Sequence, residues 1–224
     1  MGTMPELFAG WFAARGWAPR GHQLDMLEAA RAGQSALLIA PTGGGKTLAG
    51  FLPSLIALHE APREGLHTLY ISPLKALAVD VQRNLLTPIE EMGLPIRVET
   101  RTGDTPANRR ARQREKPPNI LLTTPESLTL LLSLPDAHTL FADVEAVVVD
   151  EAHALAGTKR GDQLCLALSR ISALAPRARR LGLSATVNHP QALRAWLSPS
   201  ARAEDVALIR AEPGAAPLLG VQLP

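Results

Sequence analysis

Residues 36–47 read Ala36-Leu37-Leu38-Ile39-Ala40-Pro41-Thr42-Gly43-Gly44-Gly45-Lys46-Thr47: an apolar run that breaks into three glycines, a lysine and a threonine. The apolar part, 36–40, has strand character, and the residues behind Gly45 predict a helix over 46–58. Strand, glycine turn and helix start in that order build a cradle for phosphate. The glycines let the backbone curl so that several N–H groups face one anion, and the helix N-terminus adds its dipole. Lys46 supplies a point charge, and the Thr47 hydroxyl suits a Mg²⁺ ion. Thr42, Gly43, Gly44, Gly45, Lys46 and Thr47 are therefore the candidate phosphate site. Ala40 stands where the generic pattern has its first glycine, which matters little if that residue ends the strand.

Working outward, runs of the same strand character recur at 68–72, 96–100, 119–123, 146–149 and 180–184, with a last strand-like segment at 206–210. Helical patterns fill the gaps, at 22–32, at 74–92 (Leu74, Leu77, Ala78, Val81, Leu85) and at 162–174 (Leu164, Leu168, Ile171). Alternating strand and helix implies a parallel sheet. Continuous apolar strands imply cover on both faces, and right-handed crossovers then give a doubly wound α/β fold of three layers with a mostly parallel sheet. Residues with unusual chemistry follow the strand ends, at 41–47, 73–75, 102–104, 124–127, 150–153 and 184–186. In an open α/β sheet that edge is where ligands bind.

Composition narrows the class. The 224 residues are 46% hydrophobic and 20% charged, enough to bury one substantial core. The single cysteine, Cys165, excludes an intrachain disulfide and reads as core packing. The histidines show no paired ligand spacing that would read as a zinc site. No apolar run approaches a membrane span, and the first 30 residues lack a signal-peptide core, so a cytoplasmic location is expected. A net charge of +2 predicts no polyanionic partner by itself, so local patches must carry that argument. The stretch 212–217, rich in Pro and Ala, reads as a linker after a domain over 1–212. The apolar residues 218–223 read as the start of a further element, which implies a fragment.

The run Ala146-Val147-Val148-Val149 delivers Asp150 and Glu151 at a strand end, followed by Ala152 and His153. Carboxylates on a buried strand are costly unless something pairs with them. In phosphate-loop enzymes the first such carboxylate holds Mg²⁺ and the second orients or deprotonates the attacking water. The plainer alternative is a pair of solvated acids opening the next helix. His153 gains meaning only if Ser184-Ala185-Thr186, at the end of another strand, hydrogen-bonds to it.

Taken in order, Thr42–Thr47, Asp150-Glu151-Ala152-His153 and Ser184-Ala185-Thr186 resemble the first RecA-like motor domain of superfamily 2 DExH/DEAH-box helicases. More narrowly, Ile71-Ser72-Pro73-Leu74-Lys75-Ala76-Leu77-Ala78, Arg101-Thr102-Gly103-Asp104-Thr105, Leu122-Thr123-Thr124-Pro125-Glu126-Ser127-Leu128 and Leu181-Gly182-Leu183-Ser184-Ala185-Thr186 resemble the large helicase-related (Lhr) family, including its ligase-associated members. The resemblance implies a RecA-like phosphate-loop NTPase domain with ATP and Mg²⁺ as cofactors. Lys46 and Glu151 would be catalytic, and Thr47 and Asp150 would hold the metal. Gln23 would read adenine while Arg20 stacks on it, though both also read as an exposed polar pair before a helix. His153, Ser184 and Thr186 would couple phosphate state to the nucleic-acid face. Pro73, Lys75, Arg101, Thr102, Thr124 and Glu126 would hold the single-strand backbone. Thr124 with Pro125 reads equally as a helix cap, and both readings can hold together.

Five positive charges within residues 109–116 read first as a solvated helix face and second as a nucleic-acid contact. The expected activity is ATP-dependent 3′-to-5′ DNA translocation or unwinding, in DNA repair and associated with the nucleoid. Expected partners are single-stranded DNA, a duplex or hybrid with a single-stranded tail, DNA-repair proteins, and a second RecA-like domain in cis that supplies an arginine finger. Alone, the chain is expected to be weak or inactive. The alternative is an ATP-binding nucleic-acid switch, or an RNA- or hybrid-directed helicase, without autonomous unwinding.

Overall fold

The computed structural model describes residues 4–74, 81 and 85–212. Two helices, α1 (Glu6–Ala14) and α2 (Gly21–Arg31), precede β1 (Ser35–Ile39), and α3 (Lys46–Glu60) leads to β2 (Thr68–Ile71). Then come β3 (Val98–Arg101), α4 (Ala107–Glu115), β4 (Ile120–Thr123), α5 (Pro125–Leu132), α6 (Ala137–Phe141) and β5 (Ala146–Val149). The last described part holds α7 (Ala152–Leu155), α8 (Lys159–Leu174), β6 (Arg179–Ser184), α9 (Pro190–Leu197) and β7 (Val206–Arg210).

The strands form one seven-stranded sheet in the order β3-β4-β2-β5-β6-β1-β7. Every pairing is parallel, because each described connection carries the chain back across a face through helix or loop. Residues two apart share a sheet face, and the core sorts by that rule. Leu38, Tyr70, Leu122, Val148 and Leu183 pack on the side of α2 and α3 with Phe51, Leu52 and Leu55. Leu37, Leu69, Leu121, Val147 and Val149 pack on the opposite side with Leu128, Leu164, Leu168 and Leu193. The sheet is thus covered on both faces, as its continuous apolar runs require.

Element ends moved where side chains took over backbone groups. The strand expected at 96–100 starts at Val98, because Pro95 has no N–H and Ile96 turns its own N–H to Leu94. The Arg97 N–H is held by the Asn119 side chain at 2.9 Å. The helix expected at 162–174 begins at Lys159, because the Thr158 hydroxyl accepts the Gly161 N–H at 3.0 Å and caps it. Much of the helix expected at 74–92 lies outside the described residues, although 85–91 are helical. The linker segment from 213 onward and Lys75 also lie outside them.

The order places the chemistry. β6 lies between β1, which leads into the phosphate loop, and β5, which leads into Asp150 and Glu151. The ends of β2, β4 and β3, leading to Pro73, Thr124 and Arg101, form the other half of the same edge.

Candidate functional site

The loop after β1 turns on backbone geometry that suits glycine. Gly45 caps α3 with φ +76°, a left-handed conformation. A Cβ on Gly44 would sit 2.8 Å from the Pro41 carbonyl oxygen, to which the Gly44 N–H itself donates at 3.0 Å. Ala40 lies beyond the last residue of β1 and bonds back to Ser184, so the missing first glycine falls outside the turn. Lys46 folds over the loop and donates to the carbonyls of Ala40 at 3.0 Å and Pro41 at 3.2 Å. Thr42 and Gly43 are exposed at the tip, and Thr47 is half-buried in the first turn of α3.

Asp150 is 7% exposed. Burial and then the neighbouring Glu151 charge push its carboxyl above the usual carboxylate range, while the Tyr70 hydroxyl, the Glu151 N–H and the Lys46 charge pull it back. Its Oδ1 accepts the Glu151 N–H at 2.9 Å. Glu151 itself holds φ +46°, a left-handed backbone that costs a non-glycine residue on the order of 1 kcal/mol. That turn sends the Glu151 side chain toward the end of β6: its Oε2 lies 3.4 Å from His153 Nδ1, which lies 3.2 Å from the Ser184 hydroxyl. Thr186, two residues on, is exposed.

Gln23 is 3% exposed and Arg20 exposed, so the two are not a surface pair. The Arg20 N–H donates to Gln23 Oε1 at 3.0 Å, and its guanidinium donates to the Gly43 carbonyl at 3.3 Å. These bonds fasten the start of α2 to the phosphate loop. Both residues line a cleft of about 610 Å³ with Gly45, Thr47, Leu48, Trp11, Arg15, Trp17 and Pro88. Sequence reasoning missed the far wall. There Arg15 lies 4.9 Å from the Trp11 ring and 5.3 Å from the Trp17 ring, and pairs with Glu91. His22, also missed, is buried beside Gly44, and burial lowers its pKa. Its position between Arg20 and Gln23 was the available signal.

At the other half of the edge, donors are largely engaged within the chain. The Thr124 hydroxyl caps α5 through the Ser127 N–H at 3.4 Å. Arg101 donates to the Arg110 carbonyl at 3.1 Å, and burial lowers its pKa. The buried Thr102 gives its N–H to the Thr105 hydroxyl at 2.9 Å. Glu126 accepts from Arg160 at 2.6 Å, a bond that holds its carboxyl below the usual range. Arg160 also donates to the carbonyl of the buried Pro73 at 2.7 Å. Arg160 thus ties two of the predicted backbone-binding segments to α8, a role its place in the sequence did not signal.

The arginines of α4 are neither merely solvated nor free. Glu99 lies 2.8 Å from Arg112, 3.5 Å from Arg109 and 3.0 Å from Gln113. Arg110 donates to the carbonyls of Thr105 at 2.7 Å and Gly103 at 2.6 Å, and Arg114 pairs with Asp136 at 2.8 Å.

Three adjacent strand ends carrying a glycine-rich phosphate loop, a buried aspartate and a serine–histidine contact define a RecA-like α/β domain of the phosphate-loop type. The chain belongs to the DEAD/DEAH box helicase family, which matches over residues 20–194. It is 46% identical over 215 residues to an Lhr helicase/probable uracil glycosylase of Mycolicibacterium smegmatis, covering 90% of this chain and 14% of that protein. It is 43% identical over 218 residues to the Lhr helicase/uracil glycosylase of Escherichia coli, covering 87% and 14%. The solved Mycobacterium smegmatis Lhr helicase, bound to ssDNA and AMP-PNP, superposes with a TM-score of 0.80 at 44% identity. That match covers 94% of this chain and 27% of the other. The chain therefore spans about a seventh of the length of these curated relatives. Among the described residues no helix is long and apolar enough to cross a membrane.

Proposed function

We propose that this chain is the ATP-binding half of an Lhr-type helicase motor, which hydrolyses Mg²⁺–ATP and moves 3′ to 5′ along single-stranded DNA once joined to a second RecA-like domain. The observation that carries the reading is the buried Asp150 beside Lys46 and the Thr47 end of the phosphate loop. A carboxylate kept that dry is explained by a cation that arrives with its ligand.

The residues fit such an ion. Among the described residues no group of three or more His, Cys, Asp or Glu side chains converges, which argues against an all-protein metal cage. Mg²⁺ instead takes one or two protein oxygens, with waters and phosphates completing its octahedron. Thr47 and Asp150 would supply those oxygens, and the ion would neutralise charge on the transferred phosphoryl group. Lys46 exchanges its loop carbonyls for phosphate oxygens. Glu151 orients and deprotonates the attacking water, and its contact with His153 links it to Ser184 at the end of β6, with Thr186 two residues further along the same coupling segment. Gln23 reads the base edge and Arg20 covers its face.

Pro73, Arg101, Thr102 and Thr124 would contact the nucleic-acid backbone, with Glu126 acting through Arg160, and the same role is proposed for Lys75 from its sequence position alone. Their donors are sequence-independent, which suits a translocase. The relative solved with ssDNA and AMP-PNP supports both ligands at once. The domain extends over 1–212, and 213–224 leads into the next. A role in DNA repair and a nucleoid-associated cytoplasmic location complete the proposal.

The test is nucleotide binding and hydrolysis by the chain, with and without single-stranded DNA, beside the same chain joined to a second RecA-like domain. Binding by the chain alone, with DNA-stimulated turnover only in the joined form, is expected. A chain that binds no nucleotide would overturn the reading.

A further inference from the structure

Tyr70 carries a hydroxyl that none of the roles above explains. It lies in register with Val148 of β5, so its side chain emerges on the same sheet face as Val148 and, two residues on, Asp150. Asp150 is roughly 6.6 Å further along the strand, a span that a phenol leaning along the strand covers. The ring has little freedom. It is 0% exposed and stacks on Phe51 with centroids 4.6 Å apart and planes 13° from parallel. Phe51 sits one helical turn after Thr47, so the stack aligns the phenol with the metal-facing part of α3.

The hydroxyl consequently lies against the Asp150 carboxylate and the Thr47 side chain. It is buried and close enough to interact with both, yet closes a hydrogen bond of good geometry with neither. A buried hydroxyl without a partner is costlier than phenylalanine in the same slot. Such a group is accounted for when its partner is set in place by the ligand. Asp150 Oδ1 already accepts the Glu151 N–H at 2.9 Å, and one bond leaves the carboxylate free to swing. A second donor would fix its plane, as outer hydrogen bonds do for metal-binding carboxylates.

We propose that Tyr70 is a positioning residue for the divalent-cation site: with Mg²⁺–nucleotide bound, its hydroxyl donates to Asp150 and holds that carboxylate in its metal-facing orientation beside Thr47. The proposal rests on the reading that Thr47 and Asp150 hold Mg²⁺ with the nucleotide.

The experiment titrates Mg²⁺ into the chain with a fluorescent ATP analogue, comparing wild type, Tyr70→Phe, Asp150→Asn and the double variant. Tyr70→Phe keeps the ring and its stack, and should melt no lower than wild type. In EDTA the two should bind the analogue alike. The Mg²⁺ concentration giving half of the binding enhancement should rise roughly tenfold in Tyr70→Phe, the scale of a lost outer-shell hydrogen bond. On the Asp150→Asn background the same change should add nothing. Superimposed Mg²⁺ curves for wild type and Tyr70→Phe would overturn the inference, as would an equal shift in both backgrounds. A wild-type chain that binds the analogue with a normal Mg²⁺ response while Tyr70→Phe is unaltered would sink this inference alone. A wild-type chain that does not bind would sink the nucleotide site with it.

Discussion

At the β3 edge of the sheet, α4 presents Arg109, Arg110, Arg112 and Arg114, and each is met by a carboxylate or a backbone carbonyl. At the ends of β5, β6 and β1 the reverse holds. Asp150 is buried with its carboxyl pushed up, Glu151 sits in a left-handed backbone, and the Tyr70 hydroxyl has no completed bond. The first region is dense in charge and balanced only in the sense that each of its four arginines has a partner within the chain, two carboxylates and backbone carbonyls sharing the load; the second carries fewer charges and holds Asp150 dry. Charge density alone therefore does not mark the site. A cluster whose members satisfy one another needs nothing further, whereas one held strained and dry needs a ligand.

The sharpest way to break this contrast is at Lys46, whose charge acts on the buried Asp150 carboxylate. Lys46→Ala should weaken nucleotide binding on the order of 100-fold, the scale of losing a charged hydrogen-bond partner to phosphate. Equilibrium titration with a fluorescent nucleotide reads it directly. Glu151→Gln should separate binding from chemistry. The chain joined to a second RecA-like domain should keep its nucleotide affinity while turnover falls on the order of 10²–10³-fold, as removal of a general base does. Turnover at the parental rate would remove Glu151 from that role.

In the balanced region the expected effects are on folding. Burial raises the Glu99 carboxyl, but the hydrogen bonds from Gln113 and Arg112 and the Arg109 charge outweigh it, leaving the pKa below its ordinary 4.5. An acid lowered in the folded state contributes stability that is present above 4.5 and lost as pH falls through the folded value. Glu99→Gln should therefore lower the melting temperature at pH 7 by roughly 2–4 °C, about 1 kcal/mol in a domain of this size. The gap to wild type should close below pH 4.5. A deficit that persisted unchanged at lower pH would mean that Glu99 acts through packing rather than charge.

How much of this was legible follows from where the information lies. The alternating apolar runs and the local spacing of residues 42–47 and 150–153 are contiguous, so strand, loop and carboxylates could be placed without coordinates. The partners of α4 are not contiguous: Glu99 lies across a turn and Asp136 beyond another strand, so a run of arginines looks unpaired in one dimension. The cleft wall built from Trp11, Arg15 and Glu91 joins residues about 80 apart in sequence. Tyr70 reads as an ordinary strand aromatic. Its significance comes from the β2–β5 register and the stack on Phe51, which only the fold brings together.

The smallest expected effect is also the most direct probe of whether the balanced region stays out of nucleic-acid binding. Arg114 and Asp136 are both partly exposed, at 42% and 38% of their side chains, and such a pair adds little to stability. Arg114→Gln should leave the melting temperature nearly unchanged. If the guanidinium is spent on Asp136, single-strand affinity should also stay within about twofold, and the slope of log K against log salt should not move. If instead Arg114 leaves Asp136 to meet a phosphate when the strand binds, the slope should become shallower by about 0.7, the value for one phosphate contact on a single strand. Fluorescence anisotropy of a labelled oligonucleotide across a salt series separates the two. A shallower slope would break the contrast, because it would make the paired arginines of α4 a reserve of cations that the nucleic acid competes for, rather than a finished part of the fold.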